Sequence, residues 1–169
     1  KYVCGNELRY NVFSPLKSAY FDYILIARES VIPNTLAFKM LFIEKSPQND
    51  FYIQCGTALE GLMNILKKPF NKNCDAGYLI NSFPDAKLKG ELIHIWKKRN
   101  YYKTHLKHNY NKSEMKSFLC KTTNVITGIL NDIDKIPIED IFKQMNKTKT
   151  VYRSSSLKQE DVQKLEELK

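Results

Sequence analysis

Apolar positions along this chain recur every three to four residues in most stretches, which is the period of a helix with one buried face. Ser14-Pro15 reads as an N-cap followed by proline at the first helical position. Leu16, Ala19, Tyr20, Tyr23 and Ala27 continue at helical spacing, predicting a helix to about Arg28. Residues 1–13 carry no such period and read as a short extended piece. Pro33-Asn34 restarts a helix with Leu36, Met40, Leu41 and Ile43, ending before Pro47. Asn49-Asp50 can cap the next, in which Tyr52, Cys55, Leu59, Leu62, Met63 and Leu66 line one side. Gly56 and Gly61 inside it cost helix propensity, so they are expected to mark the close approach of a neighbouring helix.

Lys67 to Pro84 reads as a connection docked locally by Phe70, Tyr78, Leu79 and Ile80. Asp85 then opens a helix whose Leu88, Leu92, Ile95, Trp96 and Arg99 share a face. Arg99 thus continues a core stripe, and must either snorkel over the bundle end or enter a partly buried cleft, because an unpaired buried charge is too costly. Ser113-Glu114 starts the cleanest stripe of the chain, Met115, Phe118, Leu119, Thr122, Ile126, Ile129, Leu130 and Ile133. Pro137 ends it and opens a short helix through about Met145. Ser156-Leu157-Lys158-Gln159 fits a capping box before a C-terminal helix with Val162, Leu165 and Leu168. The expectation is an all-α fold, an antiparallel four-helix bundle with helices near 34–46, 50–67, 85–105 and 113–134. Residues 1–32 are read as an N-terminal extension, 33–145 as the bundle, and 146–169 as a polar linker with a terminal helix.

Composition narrows the class. At 169 residues, 43% apolar and 27% charged, the chain suits one globular domain. A formal net charge of +9 favours a nucleic acid or another anionic partner. No run is long and apolar enough to cross a bilayer, and the opening residues lack the layout of a signal peptide. The chain opens on Lys1 and is expected to be a fragment or a processed form, so a removed signal peptide stays open. Cys4, Cys55, Cys74 and Cys120 include no C-x-x-C, so neither a zinc ribbon nor a dense disulfide framework is indicated. Cys55 and Cys120 read as buried thiols, and a reducing, cytoplasmic setting is favoured.

The chemistry concentrates in Lys97-Lys98-Arg99-Asn100-Tyr101-Tyr102-Lys103-Thr104-His105-Leu106-Lys107-His108, which holds two of the three histidines. From Lys97 to Lys112 there is no acid. Cations, imidazoles and tyrosines at a helix end can contact a polyanion and move protons on it. His105-x-x-His108 has the spacing to hold a metal with Cys120 or Glu114, but lacks a matching ligand pair, and no metal or other cofactor is expected. His94, beside the apolar stripe, reads as a structural histidine. Glu60 is either an acid facing the basic segment or a solvated helix residue.

The order of these features resembles the HEPN superfamily. Ala58-Leu59-Glu60-x-x-Met63-x-x-Leu66-Lys67, a variable loop, the lead-in Leu92-Ile93-His94-Ile95-Trp96, then Arg99-Asn100 with His105 after five intervening residues, matches its Arg-x(4–6)-His signature before a last amphipathic helix. The resemblance covers roughly residues 34–135. It implies a bundle that dimerises so that two Arg/His motifs face each other and, in active members, a metal-independent endoribonuclease. RNA supplies its own nucleophile, the ribose 2′-OH, so such an enzyme needs a proton carrier and a fixed cation for the phosphoryl charge. His105 can carry the proton, since histidine ordinarily titrates near ~6.5, and Arg99 can bind phosphate. Asn100 can orient either. Tyr101 and Tyr102 can stack on bases, with Lys97, Lys98, Lys103, Lys107 and His108 along the backbone. On an unbroken helix Arg99 and His105 lie about 120° apart, so their convergence needs a helix end or a partner subunit. His108 competes for the same role.

Two other classes fit the same pattern. A helical chain with four cysteines and the sequons Asn111-Lys112-Ser113 and Asn146-Lys147-Thr148 also suits a secreted, cytokine-like factor acting on a receptor. A non-catalytic helical module binding RNA or protein is the third. A regulatory protein partner is compatible with each.

Overall fold

The computed structural model describes residues 5–28, 47–68, 75–105 and 111–143. Their regular elements are helices: α1 (Gly5–Leu8), a π-turn (Arg9–Phe13), α2 (Ser14–Arg28), α3 (Pro47–Lys67), α4 (Ala76–Asn81), α5 (Ala86–Thr104) and α6 (Lys112–Asn131). A short helix over residues 138–143 follows Pro137, whose carbonyl accepts from the Asp140 and Ile141 amides. The fold is all-α, as the periodicity implied. The expected helix over 34–46 and the C-terminal helix fall outside the described residues, as do Cys4 and Cys74.

The hub is α3. It packs most extensively against α2 and α5, and also touches the π-turn, α1, α4 and α6. Its buried residues Tyr52, Cys55, Leu59, Leu62, Met63 and Leu66 follow the predicted stripe, and Phe51, Ala58 and Ile65 widen it. A helix surrounded on several sides buries more than one face, which is why Ala58 is buried without belonging to the stripe. Val12, Ala19 and Ile26 enter the same core. Residues 5–28 are therefore integral to the domain, where the sequence pattern had marked them as an extension.

The N-terminal stretch departs from expectation in a second way. Residues 5–13 are helical, and Ser14 is not a cap: its backbone is αR and its amide donates to the Arg9 carbonyl. Proline at 15 lacks an amide and its ring would collide with the carbonyl four residues back, at Asn11. The wider turn before it absorbs that conflict. The Asn11 carbonyl lies against Gly61 of α3, where a β-carbon would come within 2.0 Å of it.

Other boundaries move by the same local logic. The Lys67–Pro84 connection contains α4, capped by Asp75, whose side chain accepts from the Gly77 amide at 2.8 Å. Leu79 and Ile80 are buried there and Tyr78 is exposed. Asp85 does cap α5, accepting from the Leu88 amide. The α6 cap is Asn111 rather than Ser113, with its side chain accepting from the Ser113 and Glu114 amides. Cys120 is exposed, in contrast to the buried Cys55, because it falls one position past the inward-facing Phe118 and Leu119.

Candidate functional site

Arg99 stands in α5 between Ile95 and Tyr102, on the inward stripe. Glycine at 56 is what admits it. A β-carbon on Gly56 would lie 2.3 Å from the Arg99 β-carbon and within 2.6 Å of the next two carbons of its stem. The stem crosses α3 at that gap, and the guanidinium reaches Glu60 one turn on, with Nη2 donating to Oε2 at 2.5 Å. The Arg99 side chain is only 13% exposed and that of Glu60 34%. Trp96 lies under the guanidinium, 4.7 Å from carbon to ring centroid, and Nη1 donates to the Asn100 side-chain oxygen at 3.2 Å. Arg99 Nε is buried with no partner among the described residues. The result is a cation held on three sides, with Glu60 as the facing acid.

His105 ends the same helix with extended backbone, and its ring is exposed. Nδ1 lies 3.1 Å from the Tyr101 carbonyl and 2.7 Å from the Thr104 hydroxyl. Both contacts engage Nδ1 and orient the ring, and Nε2 is the nitrogen left outside them. The ring also stacks on Tyr101, at 4.6 Å and 7°. Arg99 and His105 thus have separate partners, Glu60 and Trp96 for one, Tyr101 and Thr104 for the other. Asn100 goes with Arg99.

The end of α5 is anchored from a distance by Asn49. Its amide donates to the carbonyls of Tyr102 at 3.1 Å and His105 at 3.0 Å. These are carbonyls that a helix C-terminus leaves without internal donors. The sequence suggested Asn49 as a cap for its own helix. Its partners lie more than 50 residues away, and no local pattern signals them.

The other candidates divide by exposure. Lys97, Asn100, Tyr101 and Lys103 face outward. Tyr102 does not: it is buried and stacks on Tyr52 at 4.2 Å and 9°, so the expectation that it would take a base is corrected. Its period along α5 is that of Leu92 and Ile95, and the core claims it. Lys98 is half-buried, pairs with Glu114 at 2.7 Å and lies over the Tyr52 ring at 5.3 Å. That hydrogen bond holds the Glu114 carboxyl below its ordinary pKa, while burial pushes the Tyr52 phenol up. His94 sits beside Phe118, with its imidazole held below the ordinary value by burial and then by Lys121 and Lys98. Lys107 and His108 lie outside the described residues. No group of three or more metal-ligating side chains occurs among the described residues.

No family model, curated protein or solved structure matches this chain. The chemistry of the site has to be read from its own atoms.

Proposed function

We propose that this chain is a metal-independent endoribonuclease of the HEPN kind, with His105 as the proton carrier and Arg99 as the fixed cation. The observation that carries the reading is the oriented ring of His105. Its Nδ1 is engaged by the Tyr101 carbonyl and the Thr104 hydroxyl, which leaves Nε2 as the nitrogen for proton transfer at an exposed helix end flanked by Lys103 and Tyr101. In this reading Nε2 takes the 2′-OH proton as O2′ attacks phosphorus. The bond to O5′ breaks, the departing 5′ oxygen takes up a proton from solvent water, the protonated His105 returns its own to solvent, and a 2′,3′-cyclic phosphate is left. Arg99 neutralises the phosphoryl oxygens, with Asn100 fixing its outer edge. In this reading, as the resemblance to the HEPN superfamily implies, the reacting phosphate sits between Arg99 of one copy and His105 of a second.

A non-catalytic RNA-binding role is the second reading, favoured by the Arg99–Glu60 ion pair, which already neutralises the cation. Cleavage of single-stranded RNA in EDTA separates the two. Wild type should cut and leave cyclic phosphate ends. His105→Ala and Arg99→Lys, each folded by circular dichroism, should lose about 10²-fold or more. Full cleavage by folded His105→Ala would sink the catalytic assignment. Salt-sensitive binding with intact RNA in every lane would favour the second reading.

A further inference from the structure

Apart from Tyr78 and Tyr101, the exposed large apolar side chains among the described residues all lie on one helical run: Tyr10 at 65%, Phe13 at 46%, Tyr20 at 51% and Phe21 at 53%. They are interleaved with Arg9 and Lys17, whose cationic groups lie 5.7 Å from the Tyr10 and Phe21 ring centroids respectively. From Gly5 to Asp22 the chain has two acids: Glu7, half-buried and ion-paired with Lys68, and Asp22, half-buried on the side of the core thiol of Cys55. The face is therefore cationic and aromatic without a competing carboxylate.

It is also concave. Where the π-turn widens the helix, Arg9, Tyr10, Phe13, Ser14 and Lys17 line a hollow of about 280 Å³. Such local widenings of helices frequently occur at functional sites. Gly61 of α3 lies behind it, against the Asn11 carbonyl.

We infer that this hollow, on the outer side of the N-terminal helix, is a binding site for single-stranded nucleic acid, with Tyr10 and Phe13 taking a base and Arg9 and Lys17 the adjoining phosphates. Every base has a face for an aromatic ring to cover, and cations beside the rings follow the backbone. A lipid surface is met with aliphatic as well as aromatic side chains, and none of the large apolar residues exposed here is aliphatic. Against a protein partner, whose interfaces also use Tyr, Phe and Arg, stands the pairing of rings with cations along one face of a chain of net charge +9. Tyr20 and Phe21 extend the platform along the helix for about 16 Å from Tyr10. The site does not touch Arg99 or His105, and binding at it does not depend on cleavage.

The test is fluorescence anisotropy of the full chain carrying His105→Ala, which keeps the probe intact, titrated with a labelled oligouridylate and with the matching oligothymidylate. Joint Tyr10→Ala and Phe13→Ala replacement should weaken binding about tenfold or more. Joint Arg9→Gln and Lys17→Gln replacement should make the dependence of log K on log salt shallower by about 1.4, two contacts at about 0.7 each. These side chains are exposed, so the variants are expected to retain the parent circular dichroism. Equal losses for both probes mean that bases and phosphates are read. A larger loss for the RNA adds the 2′-OH, and either result supports the site. Unchanged affinity and salt slope in both folded variants would overturn it, as would variants that lose only vesicle binding or self-association.

Discussion

The pH response of this protein is set in part by a single imidazole. His94 lies beside Phe118, and burial, Lys121 and Lys98 hold its pKa below 6.5, with Glu114 opposing them. The folded state therefore prefers the neutral ring. Above about pH 6.5 both folded and unfolded chains carry it neutral, and it contributes no pH dependence. As pH falls through that value the unfolded chain takes the proton first, so stability drops until the folded pKa is passed. Urea midpoints at pH 7.5 and 5.5 should show wild type losing more stability than His94→Gln. Equal losses would remove His94 from the account. Glu114 acts lower on the scale: Lys98 depresses its pKa, so its contribution is present above the ordinary carboxylate value and is lost as acid protonates it. Cys55 plays no part near neutrality, since burial pushes its thiol up to about 12.

At the scale of elements, the α3–α5 contact is decided by a missing β-carbon and a distant amide. Gly56→Ala would drive a methyl into the Arg99 stem, and overpacking of this kind costs about 1–3 kcal/mol. Gly90→Ala on α5 meets nothing within 4 Å and should instead stabilise by about 0.5–1 kcal/mol through helix propensity. Thermal or urea unfolding of the two variants should therefore move in opposite directions. Stabilisation by both would mean that the helices do not approach as described. Asn49→Ala leaves the Tyr102 and His105 carbonyls without their donor and should cost about 1–2 kcal/mol. If Asn49 also positions His105, amide exchange near 101–105 should rise more than elsewhere, while a uniform rise would leave Asn49 a purely structural residue.

At the scale of the whole molecule, the proposed enzyme is a composite of two chains. Mixing folded Arg99→Lys and His105→Ala proteins should restore a measurable part of the RNA cleavage that each lacks alone, because one mixed site then has both groups intact. Failure to complement, with wild type active, would require the two groups to meet within one chain. The net charge of +9 adds a field that draws polyanions to either candidate surface, so association should slow as salt is raised.

Local chemistry was legible in part where a residue and its partner lie within one turn, although the pattern at Ser14 reads as a cap that the structure does not form and misses the π-turn before Pro15. The stripe of α3, the Asp85 cap and the all-α class follow from periodicity and capping, which are properties of neighbours in sequence. Gly56 and Gly61 announced close approaches because glycine inside a helix has an energetic cost that packing must offset. The basic, histidine-bearing segment was visible from composition alone. What only the tertiary structure decided were the pairings across tens of residues: Glu60 with Arg99, Asn49 with the end of α5, Tyr102 with Tyr52. It also moved residues 5–28 from an extension into the core and turned an expected extended piece into a π-turn. Helical period says which face of a helix is buried, but the partner that covers that face is chosen by how separate helices pack, and that choice stacked Tyr102 on Tyr52 and bound Arg99 to an acid.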